Sequence, residues 1–114
     1  MELILPCLYS ELEGSALPNI VEEISKTKYL NHVIIGLDKA NQVQAKKAWK
    51  FFKKLKTSFS ILWNDGPKLK KLDTELKKKD LAPNELGKGR NVWYCIGMAI
   101  ARDSARSVAL HDCD

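Results

Sequence analysis

Short apolar runs alternate with amphipathic stretches along this chain, and that alternation constrains the fold more than any other feature. Glu2–Leu8 is an apolar run closed by Pro6 and a polar turn, the pattern of a first strand. Residues 14–27 place Leu17, Ile20, Val21 and Ile24 at i, i+3, i+4 and i+7, with Glu22 and Glu23 outside that stripe, which predicts a helix. His32–Asp38 carries Val33, Ile34 and Ile35 in a row, the mark of a strand covered on both faces. Ala45, Ala48, Trp49, Phe52 and Leu55 then recur at helical spacing and predict a helix running through Lys56.

The second half repeats the theme. Phe59–Trp63 reads as a third buried strand, Asn64-Asp65-Gly66-Pro67 as a turn, and 68–79 as a Lys- and Leu-rich helix. A loop over 82–84 leads to Gly87-Lys88-Gly89 and a largely buried helix over 90–101. A fourth strand over 107–111 ends in Asp112-Cys113-Asp114. The order β-α-β-α-β-α-α-β predicts an α/β fold with a mostly parallel sheet and helices on both faces. In the usual doubly wound order, 3-2-1-4, strands 1 and 4 are neighbours, and ligands bind where their carboxyl ends diverge. That order puts Tyr9-Ser10-Glu11 and Asp112-Cys113-Asp114 on one crevice.

At 114 residues the chain suits one domain. No apolar run is long enough to cross a bilayer, and Glu2 and Pro6 break the pattern of a signal peptide, so the expected compartment is the cytoplasm. Cys7, Cys95 and Cys113 include no C-x-x-C pair and read as reduced, mostly buried residues. The net charge of +5 gathers in 45–56 and 68–79. Such charge can attract nucleic acid or an anionic substrate, but Lys46, Lys47, Lys50, Lys53, Lys54 and Lys56 fall opposite an apolar stripe, as a solvated helix face requires. Trp49, Trp63 and Trp93 lie on apolar periodicities and are expected in the core or an interface. A small basic nucleic-acid-binding module therefore stands as the alternative from another class.

Asp112 and Asp114 are two apart, so in an extended segment both carboxylates point one way while His111 and Cys113 point the other. Paired carboxylates suit Mg2+ or Mn2+, which take oxygen ligands and share them with phosphate. An isolated D-x-D is equally a solvated acidic turn; its place at the switch point favours the metal reading. A zinc site of His111 and Cys113 competes, but it needs His32 and Cys7 from elsewhere in the chain. Gly87-Lys88-Gly89 ahead of a helix offers backbone N–H groups and an ammonium to a phosphate, or is a plain loop with a surface lysine. It is no Walker A motif, because Ala82 and Arg90 occupy positions that need Gly and Ser or Thr, and no G-x-G-x-x-G follows the first strand. Asp38, ending strand 2, suits a ribose or base, or is neutralised by Lys39; Glu11 is open to a similar double reading at a helix amino end.

Taken together, Leu5-Pro6-Cys7-Leu8-Tyr9-Ser10-Glu11-Leu12-Glu13-Gly14, Val33-Ile34-Ile35-Gly36-Leu37-Asp38, Leu62-Trp63-Asn64-Asp65-Gly66-Pro67, Gly87-Lys88-Gly89-Arg90-Asn91-Val92-Trp93-Tyr94 and Leu110-His111-Asp112-Cys113-Asp114 resemble the glucosyl-3-phosphoglycerate synthases. The resemblance implies a Rossmann-like GT-A fold and retaining transfer of glucose from UDP-glucose to 3-phosphoglycerate. A related transferase using another donor, such as a GDP-sugar, is the alternative within enzymes. By the same resemblance Pro6, Leu8 and Glu11 match the first nucleotide-contact loop, Asp38 a position near uridine, and Lys88 the basic loop near the diphosphate. Asp112 matches the carboxylate that meets the sugar or ribose, and Asp114, with Asp112, the metal site holding Mg2+ or Mn2+.

The family continues past the acidic motif into an acceptor-binding half with a further metal-binding histidine. Residues 1–114 are thus expected to form a single nucleotide-sugar-binding subdomain without the acceptor pocket, incomplete and inactive on its own. A homodimer belongs to the complete enzyme. Neither nucleic acid nor a membrane is an expected partner.

Overall fold

In the computed structural model, which describes residues 1–81, 87–103 and 107–113, four parallel strands form one sheet in the order β3-β2-β1-β4. The strands are β1 (Glu2–Leu8), β2 (His32–Asp38), β3 (Phe59–Trp63) and β4 (Val108–Leu110); the helices are α1 (Ala16–Lys26), α2 (Gln42–Phe52), α3 (Pro67–Lys78) and α4 (Lys88–Arg102). A 3-10 turn, Tyr9–Glu13, which the periodicity did not single out, follows β1. The loop expected over 82–84 lies outside the described residues.

β1 and β2 pair in register from Glu2 with His32 to Leu8 with Asp38, and β4 pairs on the other side of β1, Ile4 opposite Leu110. Side chains alternate faces along each strand. Leu3, Leu5, Cys7, Val33, Ile35 and Leu37 therefore meet Leu17, Val21 and Ile24 of α1 and Ala48 and Phe52 of α2 in the larger core. Each such fully buried aliphatic side chain contributes about 1.5–3 kcal/mol of transfer free energy. Ile4 and Ile34 point to the other face, where Cys95 and Ala99 of α4 cover them.

Three expectations need correction. α2 starts on a capping box, Gln44 N–H to Asn41 Oδ1 at 2.8 Å and Asn41 N–H to Gln44 Oε1 at 2.9 Å. It stops at Phe52 rather than Lys56, because a tight turn, Leu55 N–H to Phe52 O at 2.9 Å, brings Leu55 into the core without further helix. β3 is half-buried, since it is an edge strand with one neighbour. In α4 one strip, Asn91, Tyr94, Cys95 and Ala99, is buried, while Trp93, Ile96 and Ile100 are exposed. An apolar helix need only present one strip to a sheet. Trp49 is also half-exposed and tilts against Phe59 with ring centroids 5.0 Å apart. The lysines over 46–56 are all exposed, as the amphipathic pattern requires.

The amino end of the sheet holds a polar cluster. Glu2 is fully buried and its Oε1 accepts from Arg102 Nε at 2.7 Å, joining the first strand to the end of α4. His32, its partner across β2, is buried between Ser58 Oγ, 2.6 Å from Nδ1, and Ser60 Oγ, 2.7 Å from Nε2. Burial, and after it the Arg102 charge, push the His32 pKa below its ordinary 6.5, against a smaller upward pull from Glu2. A histidine neutral in the folded chain and protonated in the unfolded one makes the unfolded state bind more protons. Its contribution is present above pH 6.5 and is lost as pH falls through the lowered folded value. Thermal midpoints measured from about pH 7.5 to about pH 5 should fall less steeply in His32→Gln than in the parent; equal slopes would show that His32 does not couple folding to protons.

Candidate functional site

The carboxyl ends of β1 and β2, the 3-10 turn and the start of α4 enclose a cleft of about 250 Å³. Larger hollows lie beside β4, about 410 Å³, and between α3 and α4, about 550 Å³, but both are lined mainly by apolar side chains. The smaller one is lined by Glu11, Asp38, Lys39 and Lys88 at the strand carboxyl ends, whereas the hollow that Lys26, Lys54 and Lys56 line lies beside α1 and away from them. Of the residues singled out above, Pro6, Leu8, Glu11, Asp38 and Lys88 all line it. Asp112 reaches Lys88 at its rim through an ion pair between Oδ1 and Nζ. Asp114 lies outside the described residues.

Each wall has a local cause. At the end of β1, Glu11 turns back within the 3-10 turn and its Oε2 accepts from Leu8 N–H at 3.0 Å, so this carboxylate caps the turn as well as facing the cleft. At the end of β2, Asp38 is buried and its Oδ1 accepts from the backbone N–H of Lys39 at 3.0 Å. Among the described residues no ion pair joins Asp38 to the Lys39 ammonium. Lys39 takes a left-handed φ of 53°. The turn is held by Ala40, whose N–H donates to Asp65 Oδ2 at 2.9 Å and whose carbonyl accepts from the Trp63 indole at 2.8 Å.

On the third side, α4 begins at Gly87-Lys88-Gly89, and among the described residues no side chain caps it. The first-turn N–H groups of a helix lack partners within the helix and carry a partial positive charge, so they suit an anion. Lys88 adds an ammonium beside them. The Lys88 and Asp112 side chains are 57% and 53% exposed, so their ion pair is worth less than about 1 kcal/mol and is cheaply exchanged for other partners.

One residue that sequence reasoning passed over, Asn91, completes the site. Asn91, nearly fully buried in the second turn of α4, donates from Nδ2 to Gly36 O at 2.8 Å and lines the cleft floor. It fits only because residue 36 is glycine: a Cβ there would sit 2.7 Å from Cys95 Sγ and collide with Asn91 Oδ1. The signal was available, a polar residue in an apolar helix and a glycine in an apolar strand. Cys7 and Cys113 also line the cleft, both buried. The Cys113 thiol beside it, then burial and then the nearby charges, push the Cys7 thiol far above the ordinary thiol range. Of the zinc set considered above, His32 stands at the opposite end of the sheet, and His111 is exposed with its Nδ1 2.6 Å from Asp112 O. Cys7 and Cys113 do meet.

A four-stranded parallel sheet in the order 3-2-1-4 with helices on both faces is a doubly wound, Rossmann-like α/β domain, and Glu11, Asp38 and Lys88 share a cleft at the carboxyl ends of its strands. Along its whole length the chain is related to glucosyl-3-phosphoglycerate synthases. That of Persephonella marina is 39% identical over 114 residues, all of this chain and 28% of the relative. That of Methanococcoides burtonii is 34% identical over 113 residues, 98% of this chain and again 28% of the relative. The chain thus spans 28% of the length of these curated relatives. No protein-family model matches it, and no solved structure does. Among the described residues no helix is long and apolar enough to cross a membrane.

Gly87 sets the entry to α4 with φ 118° and ψ −155°, a region in effect reserved for glycine, and among the described residues nothing lies within 4 Å of where a Cβ would stand. Gly87→Ala is therefore a test of backbone strain without collision. It should cost about 1–3 kcal/mol in urea unfolding, and unchanged stability would show that the turn relaxes freely.

Proposed function

We propose that this chain supplies the nucleotide-sugar-binding part of a GT-A-type glycosyltransferase that transfers glucose from UDP-glucose to 3-phosphoglycerate with retention. The observation that carries the reading is the convergence of Lys88, the uncapped start of α4, Asp38 and the turn around Glu11 on one cleft at the switch point. The relatives' shared name supports the choice of acceptor and of sugar. The first-turn N–H groups of α4 and the Lys88 ammonium would face the diphosphate, and the buried Asp38 carboxylate would accept from the nucleoside. As the bond from sugar to diphosphate breaks, negative charge grows on the departing oxygen. Fixed positive charge and oriented N–H groups at that point lower the barrier without reorganising.

Mg2+ or Mn2+ fits the rim, because Asp112 offers an exposed carboxylate of the hard oxygen type these ions take, held only by a weak surface ion pair. Asp112 and Asp114 would hold it, and it would supply charge neutralisation at the diphosphate. The 3-phosphoglycerate pocket would come from sequence that the relatives carry outside this span.

UDP with Mn2+ should raise the thermal midpoint, by the equivalent of about 2.7 kcal/mol at a hundredfold excess over Kd, and more than GDP does. Lys88→Ala should remove most of that gain. No shift in this chain or in one extended to the relatives' length, or an undiminished shift in Lys88→Ala, would sink the reading.

A further inference from the structure

The floor of the cleft holds a second constellation, chemically unlike the carboxylates at its rim. Cys7 ends β1, Cys113 follows β4, and Glu11 folds back over both from the 3-10 turn. Continuing the β1–β4 register of Ile4 with Leu110 by three residues sets Cys7 directly across from Cys113. Their two Sγ atoms and a Glu11 carboxylate oxygen all lie within 4.8 Å of one another. Both thiols are buried, 1% and 2% exposed, yet both line the cleft together with Glu11, which leaves an entry path.

We infer that Cys7, Cys113 and Glu11 form a binding site for a thiophilic divalent cation of the zinc class, with one coordination position open to the cleft. Two sulfurs and one carboxylate oxygen match the ligand types zinc takes, and three protein ligands with a fourth place left for solvent is the arrangement of an accessible rather than a sealed zinc site. Ligand softness separates this site from the rim: thiolates select zinc-like ions, whereas carboxylates with phosphate select magnesium or manganese. On binding, each thiol gives its proton to solvent as its sulfur takes the metal. Two thiolates and a carboxylate then carry three negative charges against the cation's two. Lys39, which lines the same cleft, offers positive charge toward the remaining negative charge. Cys7 is fixed by its pairing with Leu37 of β2, and Cys113 is buried three residues past the end of β4. Glu11 already has its Oε2 engaged with Leu8 N–H, which orients the carboxylate as an outer partner would.

The inference does not rest on the nucleotide reading, and its test contains no nucleotide. The full chain, kept reduced, is titrated with Cd2+ alone, followed by the ultraviolet band of thiolate-to-cadmium charge transfer, and then competed with Zn2+. One equivalent should bind and be displaced by zinc. Cys7→Ser and Cys113→Ser should each weaken binding by at least about a hundredfold, the upper range for losing even an outer partner. Glu11→Gln, whose amide oxygen can still cap the turn, should weaken it less, and Cys95→Ser, on the other face of the sheet, should leave it unchanged. X-ray absorption at the metal edge of the unmutated loaded chain should count two sulfurs, which keeps the test open should a serine variant fail to fold. No band in the folded chain, a band that survives Cys7→Ser or Cys113→Ser, a band lost in Cys95→Ser, or a sulfur count other than two would each overturn the assignment.

Discussion

Parallel pairing of β1 with both β2 and β4 is the constraint on which the other features depend. A parallel neighbour must return by a crossover, so every carboxyl end in the sheet falls on the same edge. β1 sits between two partners and is buried on both faces, which holds its register tightly, because a slip of one residue would exchange Leu3, Leu5 and Cys7 for Glu2, Ile4 and Pro6. With the register held, Leu8, Asp38 and Cys113 arrive at one cleft although they stand far apart in sequence.

α4 is the second determinant, and its position is decided by one close approach. Asn91 reaches the carbonyl of Gly36 through the space a side chain would fill, and Cys95 packs behind it. Farther along, the Tyr94 hydroxyl donates to Asp73 Oδ1 at 2.8 Å and ties α4 to α3. Burial and then that bond push the Tyr94 phenol up to about 12, while the same bond, followed by Lys77, holds the Asp73 carboxyl low. Held at those points, α4 presents its uncapped amino end to the cleft, with Gly87 absorbing the backbone turn.

The two ends of the sheet have divided tasks. The amino end closes polar groups against one another: Glu2 with Arg102, and His32 between two serines, with their demands largely met inside the fold. At the carboxyl end, among the described residues, α4 starts without a side-chain cap, Lys88 and Asp112 form an exposed ion pair, and two buried thiols lie side by side. Burying groups in the first manner stabilises; leaving them as in the second costs stability and permits binding.

The strands and their order were legible because unbroken apolar runs such as Val33-Ile34-Ile35 have few other uses, and crossover handedness leaves few topologies. Glu11 and Asp112 could be assigned to one crevice once strand ends were put on one edge, Asp38 stood out as the acidic end of the second strand and Lys88 as the lysine between two glycines ahead of a helix, while Pro6 and Leu8 entered only through the family resemblance. The end of α2 at Phe52, the half-burial of β3 and the single buried strip of α4 were decided by tertiary contacts, since periodicity reports which residues can be covered and not what covers them. The meeting of Cys7 with Cys113 under Glu11 likewise belongs to the folded chain alone. Two cysteines more than a hundred residues apart carry no local pattern, and only the pairing of β1 with β4 makes them neighbours.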